Sequence, residues 1–128
     1  MLNWGRKDPG GKAPPILDYG YLDRLERHIG RETLAELIAD GMIEIADRLA
    51  DLEEKSAAGD RRGILRIGHD LAGLAGHLGL SALSVAAAEM NRAARAEPQA
   101  AAARLAAPVV AAGRTAEGAL RAALKARG

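Results

Sequence analysis

The run Arg61-Arg62-Gly63-Ile64-Leu65-Arg66-Ile67-Gly68-His69-Asp70-Leu71-Ala72-Gly73-Leu74-Ala75-Gly76-His77-Leu78-Gly79 carries two messages at once, a fold and a site. At about 100° per residue, Ile64, Ile67, Leu71, Leu74 and Leu78 gather on one side of a helix. Asp60 stands where an N-cap is needed and Gly79 where a helix stops, so the spacing predicts a helix from about Arg61 to Leu78. His69 falls almost opposite the centre of the apolar face. Within about 60° of it lie Arg62, Leu65, Arg66, Ala72, Gly73 and Gly76, two cations and three very small residues among them.

Glycine inside a helix costs about 1 kcal/mol relative to alanine. Gly73 and Gly76, one and two turns after His69, therefore weaken the helix unless access to a bare backbone offsets the cost. The alternatives are neutral drift in a chain with 15 glycines, or tight packing between helices; the meeting of all these features around one histidine argues against drift alone. A neutral imidazole near pH 7 is a competent nucleophile, which makes His69 the candidate functional residue.

Outward from this helix the same periodicity continues. A first helix is expected over Tyr19 to Ile29, with Leu22, Leu25 and Ile29 inward and Gly30 as its stop. A long one follows from Glu32 to Lys55, its seam being Leu34, Leu37, Ile38, Met42, Ile45, Leu49 and Leu52. After the His69 helix, Ser81 is placed to cap a helix over Ala82 to Arg95 with Leu83, Ala86, Ala87, Met90, Ala93 and Ala94 inward. Pro98 suits the first turn of a last helix using Leu105, Val109, Ala112, Ala116, Leu120 and Leu124, with a kink near 104–108 caused by Pro108. Short connections between four long amphipathic segments imply an all-α, antiparallel up-down-up-down four-helix bundle, with the short first helix across one end. Residues 1–15, rich in glycine, proline and lysine, read as a flexible arm, and 16–126 as the bundle.

Composition narrows the function classes. A chain of 128 residues, 48% hydrophobic, suits one domain with one core. A net charge of +1 argues for neither a nucleic-acid nor a membrane partner. The absence of cysteine excludes thiol catalysis, disulfides and cysteine-ligated metal centres. Neither a signal-peptide core nor a membrane span is legible, and the expected location is cytoplasmic.

His69-Asp70-Leu71-Ala72-Gly73, then Leu78-Gly79, Leu83, Met90 and Arg95, resembles the histidine phosphotransfer (HPt) domain of bacterial multistep phosphorelays, whose motif reads roughly H-x-L-K-G-x-x-x-x-L-G. The likeness spans about residues 17–125, with the helices in the family's order. It implies that His69 accepts a phosphoryl group from a receiver-domain aspartyl phosphate and passes it to another receiver. The partners would be the receiver domain of a response regulator or of a hybrid sensor histidine kinase, the receiver in either case supplying the metal and the acidic pocket. No cofactor or metal of its own, no autonomous kinase activity and a monomeric state are expected; no G-x-x-x-x-G-K-[ST] phosphate loop is present.

The motif lysine is replaced by Ala72. Arg66, one turn before His69, and Arg62, two turns before, lie on its face and are candidates to stabilise the phosphate, although solvated surface charge explains them as well. A degenerate, non-phosphorylatable member is the third reading. Leu65, Ala72, Gly73 and Gly76 form the candidate docking surface, with Leu80 a possible extension. His77 reads as a boundary residue in preference to a second acceptor, and His28 as structural or incidental.

Four other classes compete with this reading. Leu78-Gly79-Leu80-Ser81 has the look of a helix-turn-helix turn, but the following helix offers mostly alanine to base edges. His69 and His77, about 12 Å apart along a helix, do not share a metal ion. A kinase dimerisation helix normally carries a proline shortly after its histidine, and none occurs before Pro98. A non-catalytic helical adaptor shares the fold and differs only in the surroundings of His69.

Overall fold

The computed structural model describes residues 13–127, and every regular element among them is helical. Helix α1 spans Tyr19–Ile29, α2 Arg31–Ala57, α3 Arg61–His77, α4 Ser81–Ala96, α5 Gln99–Ala102 and α6 Ala106–Arg127, with a single 3₁₀ turn at Ala103–Leu105. The expected arm lies largely outside the described residues. Its last residue, Pro15, is tied down: its carbonyl accepts from Ala82 N at 2.9 Å.

Local chemistry sets the helix ends. Asp18 caps α1 through Tyr21 N, and Asp60 caps α3 by accepting from Gly63 N at 2.9 Å. Gly30, Gly59 and Gly79 turn the chain with φ of 89°, 66° and 75°, values that side chains rarely adopt. Ser81 does not cap α4 as expected. Leu80 holds the N-cap position without a side-chain bond, and the Pro15 carbonyl satisfies the free Ala82 N–H instead. Pro98 precedes the first turn of the short α5 as its N-cap, and the anticipated break appears as the 3₁₀ turn before α6, which places Pro108 in the first turn of α6.

Side chains along the long helices prove the antiparallel order. Gly41 meets Leu78 and Gly63 meets Lys55 between α2 and α3. Ser84 bonds Ala72 and Asn91 bonds Leu65 between α4 and α3. At one end of the α2–α6 pair Ser56 Oγ donates to Ala103 O, and at the other Arg31 donates to the Ala126 and Arg127 carbonyls. The four helices thus close a ring. Helix α1 crosses one end of it, from Gly79 O, which accepts from Asp18 N, to Arg127, whose guanidinium reaches Glu26 at 2.8 Å.

The fully buried core is aliphatic, with no aromatic ring and no buried polar side chain among the described residues. Leu37 departs from the expected seam of α2 and stands 39% exposed; Gly41 takes the inward place. In α6 the seam likewise runs through Gly113 and Ala123, leaving Ala112 and Leu124 half-buried. Both glycines mark contacts too close for a side chain. A Cβ on Gly41 would lie 2.5 Å from Leu78 Cδ1, and one on Gly113 2.5 Å from both terminal carbons of Leu49.

Gly113→Val is therefore expected to lower the unfolding free energy by about 1–3 kcal/mol, the usual range for overpacking a core. Gly118, on the same helix with nothing within 4 Å of a Cβ, serves as its control. Gly118→Ala should raise stability by up to about 1 kcal/mol. Urea midpoints of the two variants check both signs.

Candidate functional site

Packing of α3 between α2 and α4 decides which of its residues reach solvent. Ile64, Ile67, Leu71, Ala75 and the capping Leu78 are buried, together with Gly63 and Gly68, where the neighbouring helices come closest. His69 is exposed, as are Arg62, Arg66, Gly73 and Gly76, so the structure brings these five onto one outward strip as the periodicity predicts. Arg66 lies one turn below the ring and Arg62 a second turn below, roughly 4.5 and 10 Å along the axis at 1.5 Å per residue. Neither makes an ion pair among the described residues.

Leu65 and Ala72 occupy the flank of the strip that faces α4. Both are half-buried against the core, so they offer an edge of apolar surface, less than the freely exposed leucine that one helix wheel suggests. Leu80 is fully buried in the core cluster and cannot extend the patch. Leu74 is half-buried too.

The glycines divide sharply by environment. A Cβ on Gly68 would lie 2.9 Å from Met90 Cε and 3.4 Å from the Ala87 carbonyl, so that glycine serves the packing of α3 on α4. Gly73 has nothing within 4 Å, and Gly76 meets only Ser84 Oγ at 3.7 Å, an ordinary contact. Tight packing among the described residues does not explain these two.

Charge around His69 is uneven. Asp70 turns toward α2, where Arg48 Nε lies 3.9 Å from its carboxylate in an exposed pair. Such pairs add little stability, but this one partly offsets the negative charge next to the imidazole. On the opposite flank, α4 presents Ser84, Asn91 and Arg95. Ser84 Oγ donates to Ala72 O at 2.8 Å, Asn91 Nδ2 donates to Leu65 O, and Arg95 Nε donates to Asn91 Oδ1 at 3.1 Å. Sequence reasoning passed over Ser84 and Asn91 as site residues. Their signal was present: two polar side chains seven residues apart on a helix otherwise dominated by alanine share one face.

The other histidines are placed elsewhere. His77 is exposed at the end of α3, and its carbonyl accepts from the Tyr21 hydroxyl at 2.9 Å, which fastens α1 to α3. His28 Nδ1 donates to Arg24 O within α1. An apolar groove of about 490 Å³, lined by Ser56, Ala103, Ala107 and Val110, lies between α2 and α6 and away from the α3 strip.

Helix-turn-helix geometry fails at α4. Its Leu83, Val85, Ala87 and Met90 are buried among α3 and α6, and its N-terminus is occupied by the Pro15 carbonyl, whereas a recognition helix must present that end to bases. No described helix is long and apolar enough to cross a membrane.

An exposed imidazole on a rigid helix, with open backbone beside it and cations below it, can carry a group delivered by another protein. The family model described as Hpt domain matches residues 36–127, well over half of the chain and the whole of α3, α4 and α6. No curated protein and no solved structure matches the chain at a significant level.

Proposed function

This chain belongs to the Hpt domain family, whose members act as phosphocarriers in two-component signalling and engage receiver domains; on that premise we propose that His69 accepts a phosphoryl group from an aspartyl phosphate on one receiver domain and passes it to a second. The observation that carries this reading is the exposed strip itself: His69 at its centre, Gly73 and Gly76 not packed tightly by any of the described residues, and Arg62 and Arg66 without acidic partners among them.

In the forward step a lone pair on an imidazole nitrogen attacks phosphorus. The bond from phosphorus to the receiver's carboxylate oxygen breaks, the aspartate leaves as carboxylate, and the proton on the other ring nitrogen relieves the charge of the phosphorylated ring by dissociating. The second transfer runs the same exchange in reverse. Chemistry of this type asks chiefly for alignment and charge stabilisation, which a single nucleophile on a fixed helix supplies when the partner brings the rest. The chain then needs no nucleotide site and no kinase activity of its own, and works as a monomer in the cytoplasm.

Docking uses Leu65, Ala72, Gly73 and Gly76, an apolar edge running into bare backbone. Arg66 and Arg62 take over from the lysine that Ala72 replaces, holding the tetrahedral oxygens through charge-assisted bonds. Arg66→Ala should shorten the half-life of the phosphorylated chain or slow its onward transfer by about tenfold, the worth of one such bond at 1.4 kcal/mol. Unchanged kinetics would leave both arginines as solvated surface charge.

Incubation with a phosphorylated receiver domain tests the reading as a whole. The chain should gain an acid-labile, base-stable phosphoryl group and then lose it to an unphosphorylated receiver. Failure with every receiver encoded alongside it would favour a helical adaptor that keeps the fold and has lost the chemistry.

A further inference from the structure

Two side chains of α4 reach across to the backbone of α3, and they land on either side of His69. Asn91 Nδ2 donates to the carbonyl of Leu65, four residues before it. Ser84 Oγ donates to the carbonyl of Ala72, three residues after it, at 2.8 Å. In an α-helix the Leu65 carbonyl also accepts the N–H of residue 69, so the Asn91 amide shares an acceptor with the backbone of His69 itself. Arg95 donates to Asn91 Oδ1 at 3.1 Å and so fixes which end of the amide faces α3. Gly68 makes the reach possible: a Cβ there would stand 2.9 Å from Met90 Cε and 3.3 Å from Asn91 Nδ2.

We propose that Asn91 and Ser84 are positioning residues which lock the roll of α3 about its axis and thereby aim the His69 ring at a docked phosphodonor. The inference rests on His69 being the phosphoacceptor.

The apolar packing of α3 is poorly suited to do this alone. Its closest approach to α4 runs through the bare backbone of Gly68, against Met90 and Ala87, a surface that resists separation of the helices better than rotation. Two directional bonds about 10 Å apart along the axis, at 1.5 Å per residue over seven residues, oppose both rolling and sliding. At the outer radius of a helix, about 5–6 Å, a roll of roughly 10° moves a side chain by about 1 Å. A displacement of that size can cost about 10²-fold when reacting atoms must align.

The test compares the wild-type chain with Asn91→Leu, Ser84→Ala, the double variant and Ser84→Thr, which keeps the hydroxyl. Three quantities are measured: the rate of transfer from a phosphorylated receiver at saturation, the receiver concentration giving half that rate, and the rate of phosphorylation by a small phosphoramidate donor that needs no docking. The double variant should lose about 10²-fold in the saturating rate, with the half-saturating concentration and the phosphoramidate rate changed by no more than about twofold. Ser84→Thr should retain the wild-type rate. An unchanged saturating rate overturns the inference, as does a loss confined to the half-saturating concentration, which would make these residues docking contacts. An equal fall in the phosphoramidate rate also overturns it, since it would indicate general loosening of the fold. If the wild-type chain takes no phosphoryl group at His69, the premise fails; wild-type transfer with indifferent variants defeats only the positioning role.

Discussion

Replacing His69 with glutamine is expected to abolish phosphoryl incorporation from a phosphorylated receiver while leaving the urea midpoint of the bundle unchanged. The side chain is exposed and makes no described bond to another helix, so its removal touches no packing. Surface changes of this kind usually stay within about 0.5 kcal/mol. Glutamine keeps a similar length and polarity but has no basic nitrogen to attack phosphorus. His28 and His77 remain in the variant as internal controls, one bonded to its own helix and the other at the end of α3. Label that persists in His69→Gln would move the acceptor to His77, and scintillation counting after acid and base treatment distinguishes the outcomes.

Gly73→Leu should make the protein more stable and less active. Nothing lies within 4 Å of the Cβ this change adds, so the helix gains most of the roughly 1 kcal/mol that a mid-helix glycine forfeits. The new side chain projects from the His69 strip one turn beyond the ring, in the path of any surface that approaches it. Transfer from a receiver is expected to fall by about 10²-fold, the scale of a misplacement near 1 Å. A small phosphoramidate donor should be almost indifferent to the change. Opposite signs in the midpoint and in the transfer rate would identify Gly73 as a residue kept for a partner. Unaltered transfer would return it to neutral drift.

The fold was legible because each of its decisions is made locally. Gly30, Asp60 and Gly79 act on their own neighbours, and the apolar period of each helix needs no knowledge of the next. The expected bounds of α1 agree with the observed ones, and those of α2 and α3 differ by only one or two residues at an end. What a single helix wheel lacks is the position of the adjoining helix. Gly41 and Gly113 look like gaps in an apolar seam, yet they are its closest crossings, where Leu78 and Leu49 fill the space a side chain would need. Leu37 fits the period and still emerges, because Gly41 takes the inward place closest to α3.

The same division holds at the site. His69, Arg62, Arg66, Gly73 and Gly76 share a strip by helical geometry alone, and they were readable as such. Leu80 was not, since it falls in the turn at the N-cap of α4, where no helical period says which way a side chain faces, and it is fully buried. Nor was Ser81, whose capping role passes to the Pro15 carbonyl, from far earlier in the chain, a separation no local motif encodes. Ser84 and Asn91 belong with these: their meaning appears only when α4 lies against α3.

An aliphatic core has a spectroscopic corollary. The chain has no phenylalanine, two tyrosines, one tryptophan and three histidines, and no aromatic ring is fully buried among the described residues. Ring-current shifts in the interior are therefore small, and the aromatic region of a proton spectrum is nearly empty. The imidazole signals of His69 stand in that open window without isotopic labelling, so the proposed conversion to phosphohistidine should show directly as one set of peaks replacing another.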